Sequence, residues 1–350
     1  MKRSASIQTP KKILIIRLSS IGDVLLATPV IRLLKNKFPD SQIDFVIKNE
    51  FSELLKYHPF IDHLYGYDKN NEINSLKKIK QDAREKQYDL IVDLHKNFRS
   101  YYLTSGSGAK KIVRYKKGVF QRFLLVKFKL NFYKKIIPIF QRYLNCIKRY
   151  DISFDDKGLE IFFDQGTGQS IFEKYSKFLN NSAVLTIGIA PGAKHATKRW
   201  TAEGFSSVIN FLVQNTNARI ILFGNRADQK IVKSFSIEKP QFVLNTTGEL
   251  SLLETTALMN HCDLVLTNDS GLMHLASALK KKVVAIFGST TEQLGFFPYL
   301  TEYIVIQNNR LKCRPCSHIG RNNCPRQHFK CIKKITGEQV IEGIKALVDK

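Results

Sequence analysis

LVLTNDSGLMHLASALKKKVVAIF, residues 264–287, is the stretch whose reading decides the fold. The apolar run Leu264–Thr267 reads as a buried strand, and Asn268-Asp269-Ser270-Gly271 ends it. A helix is expected over Met273–Leu279, followed by a second apolar strand, Val283–Phe287. Strand, small turn, helix and strand make the repeating unit of a parallel sheet. The rhythm extends in both directions. Upstream, strands are expected at Val184–Ala190 and Arg219–Phe223, with helices at Ala202–Gln214 and Leu252–Met259. In the first half, strands are expected at Lys12–Leu18, Gln42–Ile47 and Tyr88–Leu94, with a helix from about Asp23 to Lys37. The expectation is an α/β protein of two doubly wound halves with a cleft between them. Ligands then sit at the carboxyl ends of strands. Asp164–Gln169, with two glycines, is expected near the hinge. The strongly basic and aromatic span 114–149 gives no clear element boundaries.

A chain of 350 residues suits two cores, and its 43% apolar and 24% charged residues argue against disorder. No stretch approaches the ~20 apolar residues that span a bilayer. The basic start Met1-Lys2-Arg3-Ser4 lacks a following apolar region, so no cleaved signal is expected. The reading is a soluble, cytoplasmic protein. Its 55 Lys+Arg against 30 Asp+Glu give a net charge of +25. Such a field attracts nucleic acid, an anionic membrane surface or a phosphorylated substrate. Compositional drift in a Lys-rich chain is the plainer account.

Three strand-to-helix turns carry the candidate chemistry. In the first, Arg17-Leu18-Ser19-Ser20-Ile21-Gly22-Asp23, a small turn meets a helix start that favours anions, and Asp23 reads on spacing alone as a helix cap. The turn has neither a GxGxxG fingerprint nor a P-loop. In the second, Ala190–Trp200 (APGAKHATKRW), Lys194, Lys198 and Arg199 supply cations and Thr197 a hydroxyl. That set suits a pyrophosphate, and equally a solvated basic loop. In the third, Asp269, Ser270 and Gly271 lie where backbone amides meet a phosphate, with His274 about one turn behind. After another strand, Gly224 permits close approach, and Asp228 serves either a ribose hydroxyl or a cap.

KILIIRLSSIGDVLLATPVIRLLKNKFP, PGAKHATKRW and TNDSGLMHLASALKKKVVAIFGST, in that order, resemble the ADP-heptose:lipopolysaccharide heptosyltransferases of glycosyltransferase family 9. The tail CRPCSHIGRNNCPRQHFKCIKKI looks most like the second heptosyltransferase of the inner core. The resemblance implies a GT-B fold: an acceptor-binding Rossmann-like domain over residues 1–170, a nucleotide-sugar-binding one over 171–335, and a helix, 336–350, packing back on the first. It implies inverting transfer of heptose from ADP-L-glycero-D-manno-heptose to inner-core lipopolysaccharide, with no cofactor or obligatory metal. Asp23 then becomes the general base, kept ionised by its helix-start position, and Lys198 neutralises the leaving ADP. Ser20, Gly22, Thr197, Gly224, Asp228, Asp269, Ser270, Gly271 and His274 would hold the donor. Another sugar or a surface-polysaccharide acceptor is the alternative within the family.

Acceptor binding is expected from Lys96, Asn97 and Arg99, after the Tyr88–Leu94 strand. The basic residues Arg114, Lys116, Lys117, Arg122, Lys127 and Lys129 read as contacts for acceptor phosphates and the anionic inner face of the cytoplasmic membrane, or as a solvated face. A nucleic-acid binder would explain the charge but not the PGAKHATKRW loop, and no nucleic-acid-binding signature is present, so nucleic acid is not an expected partner. Cys313, Cys316, Cys324 and Cys331 form C-x2-C-x7-C-x6-C. This lacks the second close pair of a zinc ribbon, although His318 and His328 offer alternative ligands. Spacing leaves a zinc site open; the resembling transferases carry a similar Cys-Pro-Cys-rich tail and need no catalytic metal, so the resemblance implies a structural cluster and no metal ligand is assigned.

Overall fold

The computed structural model describes residues 9–133, 135–180 and 184–349. The chain divides into two units: the first runs to Lys117 and adds Ile139–Phe162, and the second comprises Gly118–Pro138 and Phe163 onward. The first unit contains β1 (Lys12–Ile16), α1 (Ile21–Leu25), α2 (Thr28–Lys37), β2 (Gln42–Lys48), β3 (His63–Tyr67), α3 (Glu72–Lys86), β4 (Leu90–Asp93), α4 (Phe98–Thr104) and β5 (Lys111–Arg114). α5 (Val119–Phe128) belongs to the second unit, and α6 (Ile139–Leu144) returns to the first. The remaining elements are α7 (Gln165–Lys174), α8 (Ser176–Leu179), β6 (Thr186–Ala190), α9 (Ala202–Asn215), β7 (Arg219–Leu222), α10 (Gln229–Val232), β8 (Val243–Asn245), α11 (Leu252–Met259), β9 (Leu264–Asn268), α12 (Gly271–Ala278), β10 (Lys282–Phe287), β11 (Tyr303–Gln307), α13 (Lys330–Lys333) and α14 (Gly337–Val348).

Both sheets are parallel throughout. Their orders are β3-β2-β1-β4-β5 and β11-β10-β9-β6-β7-β8. In each, the first strand of the unit sits inside and the chain reverses its direction of travel after the third. The order therefore switches between β1 and β4, and between β6 and β9, which is where doubly wound sheets bind ligands. The central strands are apolar on both faces because helices cover both. Ile13, Ile15 and Ile16, and Leu264, Val265 and Leu266, have no exposed surface.

Three expectations require correction. The helix expected from Asp23 to Lys37 is two helices, because Pro29 in the first turn of α2 has no N–H to continue α1. Asp164–Gln169 begins two residues past the unit boundary at Phe162; Asp164 caps α7 by accepting the Thr167 amide at 2.9 Å, so the two glycines enter a helix. α7 packs on α11, which moves the boundary from residue 170 to Phe162. The terminal helix belongs to the second unit. α14 buries Val340, Ile344 and Leu347 against α9, β10 and β11. Among the described residues no helix is long and apolar enough to cross a membrane.

Candidate active site

At the end of β1, Arg17 closes a buried strand with a charge, and Asp23 answers it from α1. The Arg17 Nη2 to Asp23 Oδ1 distance is 2.6 Å. Tyr143 of α6 donates its hydroxyl to the same oxygen at 3.2 Å, and the Ser20 hydroxyl donates to Oδ2 at 3.2 Å. Ser20 is the N-cap of α1, and Gly22 is buried within it. Arg17 is fixed independently: Nη1 donates to the Leu94 carbonyl at 2.6 Å, and the guanidinium lies over the Tyr143 ring. Burial would raise the Asp23 carboxyl, but the Arg17 charge and the hydrogen bonds outweigh it and hold it below the ordinary carboxylate range. A fifth of its side chain stays exposed. Asp23 is thus both the helix-start residue and an ionised, accessible carboxylate.

Across the switch point, Asp93 ends β4 fully buried. It accepts the backbone amides of His95 and Lys96 at 3.0 and 2.7 Å and the Ser100 hydroxyl at 2.9 Å. His95 is pushed down to about 3 by burial and by the Arg17 and Lys117 charges, with Asp23 opposing, so its imidazole is neutral. Two of the three residues expected to meet an acceptor are used by the fold. Asn97 caps α4 through the Ser100 amide at 3.0 Å, and Arg99 forms a two-pronged pair with Glu72 at 2.6 and 3.1 Å. Lys96, held at positive φ by the Asp93 turn, remains a candidate.

The second unit builds its site on β6 and β9. The Lys198 ammonium lies 2.6 Å from Asp269, whose carboxylate also accepts the Thr290 hydroxyl at 2.5 Å. The loop carrying Lys198 is tied to β9 by Asn268: its Oδ1 accepts the Trp200 amide at 3.0 Å and its Nδ2 donates to the Pro191 carbonyl at 2.7 Å. Ser270 precedes α12 and Gly271 begins it, so the helix start opens beside the ion pair. His274 is buried one turn behind, edge-on to Phe296. Asp228 accepts the Asn225 amide at 2.9 Å. A Cβ on Gly192 would come within 2.4 Å of its carboxylate, so a side chain there would displace Asp228 from its place. Burial raises the Asp228 carboxyl against the Asn225 amide and the Arg199 charge. A Cβ on Gly224 would lie 2.9 Å from Asp228 Cβ, so Gly224 also packs directly against the Asp228 side chain.

Thr197 does not offer its hydroxyl to a donor. It donates to the Arg321 carbonyl at 3.0 Å and accepts the Arg321 amide at 2.8 Å and the Ser289 hydroxyl at 2.9 Å, which uses its full capacity. Its role is to lock the Lys198 loop to the cysteine-bearing loop. That loop is anchored by Arg314, whose guanidinium reaches the carbonyls of Phe287, Gly288, Thr290 and Asn308. The six cysteines are free. Cys313, Cys316, Cys324 and Cys331 line a cavity of about 240 Å³ with His328 and Lys129. Among the described residues no group of three or more His, Cys, Asp or Glu is placed to hold a metal ion.

The model of the family described as glycosyltransferase family 9 (heptosyltransferase) matches residues 76–325. The chain belongs to that family. It is similar to lipooligosaccharide heptosyltransferase 2 of Campylobacter jejuni, 29% identical over 94% of this chain and 95% of that protein. It is 27% identical to lipooligosaccharide heptosyltransferase 2 of Haemophilus influenzae over 97% of this chain and 99% of that protein. The crystal structure of a family 9 glycosyl transferase from Veillonella parvula superposes with a TM-score of 0.79 at 26% identity, covering 97% of this chain and 98% of that one. The two parallel sheets are those of the GT-B fold, and the chain is a glycosyltransferase.

Sequence reasoning passed over Arg17, Tyr143 and Asn268. Arg17 carried a signal, a charge ending an otherwise apolar strand. Tyr143 carried none, standing 120 positions from Asp23 in a segment without legible boundaries.

Proposed function

We propose that this glycosyltransferase moves a heptosyl unit from ADP-L-glycero-D-manno-heptose to a sugar of the lipopolysaccharide inner core, with inversion at the anomeric carbon. The family description and the names of the relatives support the sugar and the core. The observation that carries the chemistry is the Asp23 carboxylate, held ionised by Arg17 yet partly exposed. The acceptor hydroxyl gives its proton to Asp23 as its oxygen bonds to the anomeric carbon. The bond from that carbon to the β-phosphate oxygen breaks, and ADP leaves with the electron pair. Lys198 and the start of α12, with the amides after Ser270, meet the growing charge on the diphosphate. Asp228, between Gly192 and Gly224, takes the ribose hydroxyls, and Lys96 meets an anionic group of the acceptor.

The test is transfer from ADP-heptose to a heptose-deficient core by wild type, Asp23→Asn and Asp23→Ala. Both variants are expected to lose at least about a hundred-fold in kcat with ADP affinity retained. Retained turnover in Asp23→Asn would sink the base assignment. Turnover by wild type with a different nucleotide sugar, and none with ADP-heptose, would favour the other donor. The anomeric configuration of the product, read by NMR, decides inversion.

A further inference from the structure

The chain has no Asp or Glu between Asp93 and Asp151, while fifteen Lys and Arg fall there. Within that span α5 turns an apolar face to solvent. Phe120 is 72% exposed and Phe123 52%, and Val119, Phe128 and Phe132 are exposed with them. At about 100° per residue, Val119, Phe123, Lys127 and Phe120 fall within roughly 100° of arc, and Leu125, the buried residue of the helix, lies on the opposite side. The rings of Phe123 and Phe128 meet at 5.7 Å, so the patch is continuous to the helix end. Scattered exposed apolar residues are ordinary, but a contiguous aromatic face within a carboxylate-free basic segment is an interaction surface.

We infer that α5 and the turn after it form a docking surface for an anionic lipid bilayer, with the phenylalanines entering the headgroup boundary and Arg122 and Lys127 meeting lipid phosphates. Charge complementarity selects this occupant: an apolar face inside a positive field fits a negatively charged interface with hydrocarbon beneath it. The structure also revises which basic residues take part. Arg114 is drawn to Asp93 at 3.4 Å and to the Thr104 hydroxyl at 2.8 Å. The Lys129 ammonium donates to the Val126 and Pro315 carbonyls at 2.7 and 2.6 Å. Both are committed to the protein, so the surface acts through α5 itself. The inference does not depend on the donor or acceptor proposed above.

The test uses the full chain and vesicles of phosphatidylcholine alone or mixed with phosphatidylglycerol. Trp200 is the only tryptophan and is buried, so Phe123→Trp adds a reporter at the patch. Its emission should shift to the blue with the mixed vesicles only. Phe120→Ser/Phe123→Ser should partition at least about ten-fold more weakly while keeping the wild-type Trp200 emission. Equal retention on both vesicle types, undiminished retention of the double variant, or no shift of the reporter each overturns the inference. So does a concentration-dependent dimer abolished by the double variant without vesicle binding, which would give the face to a second copy of the chain.

Discussion

Asn268 is the most informative side chain to remove. It is fully buried at the end of β9, and its amide holds both ends of the 191–200 loop: Oδ1 accepts the Trp200 amide and Nδ2 donates to the Pro191 carbonyl. Asn268→Ala leaves one buried N–H and one buried C=O without those partners. At about 1–3 kcal/mol for each unsatisfied group, the second unit should lose about 2–6 kcal/mol. That is a large share of a typical domain's stability of about 5–15 kcal/mol. The assay is equilibrium urea unfolding followed by Trp200 emission. Trp200 is the only tryptophan, lies in the second unit, and bears the amide in question. The loop also carries Lys198, so ADP affinity measured by calorimetry should fall in the same variant.

Asn268→Asp separates the two bonds. It keeps an oxygen for the Trp200 amide but sets a second oxygen against the Pro191 carbonyl, where a donor stood at 2.7 Å. An ionised carboxylate there is buried and repelled, so the folded state favours the protonated acid and raises the residue's folded pKa. The sign follows directly: stability should recover as pH falls, because the protonated carboxyl can donate to Pro191 again. A loss in Asn268→Ala below about 0.5 kcal/mol, the ordinary surface range, would refute the reasoning. So would an Asn268→Asp protein indifferent to pH.

Three further outcomes are expected. Lys198→Met strands the Asp269 carboxylate, 6% exposed, and should cost about 3–5 kcal/mol in the Trp200-monitored transition while weakening ADP binding; wild-type stability would refute the pairing. Arg17→Met removes the charge that opposes burial at Asp23, so the acid limb of the transfer rate should move to higher pH, and an unmoved limb would free Asp23 from that role. His58, pushed down to about 4 by burial and the Arg32 charge, is neutral when folded, so the stability it contributes is present above its unfolded value of 6.5 and lost as pH falls toward 4. The loss is on the order of 3 kcal/mol, and His58→Phe should flatten that pH dependence in unfolding followed by circular dichroism.

The central strands were legible because burial on both faces leaves an uninterrupted apolar run; β6, β9 and β10 fall within two residues of their expected ends. The edge strands β3, β5, β8 and β11 were not, because runs of only three to five residues, most of them partly exposed or carrying polar residues, give too short an apolar signal. Candidate site residues stood out in the sequence where the chemistry is local. Asp23, Lys198 and Asp269 each follow a strand end, and the structure pairs the last two. The sequence was misread where one residue type serves two ends. Asn97, Arg99 and Thr197 are hydrogen-bonding groups near a strand terminus, as ligand contacts would be, but their partners Ser100, Glu72 and Arg321 belong to the protein. Only the fold brings Arg321 to Thr197, across 124 positions.

Each unit ends a switch-point strand with one ion pair at 2.6 Å, and the two pairs differ in what they leave available. Arg17 is held by the Leu94 carbonyl and the Tyr143 face as well as by Asp23, so it is fixed and serves to keep Asp23 ionised. Lys198 has three N–H donors, and Asp269 takes up one direction of them. In the function proposed, an arriving diphosphate would join Lys198 without displacing Asp269, which the Thr290 hydroxyl also steadies. The ammonium is in place before charge develops, which limits reorganisation in the reaction. In that reading the same carboxylate would repel the phosphate it helps to receive, and so limit how tightly ADP is held afterwards. A lysine aimed by an aspartate is suited to a leaving group that must be stabilised and then released.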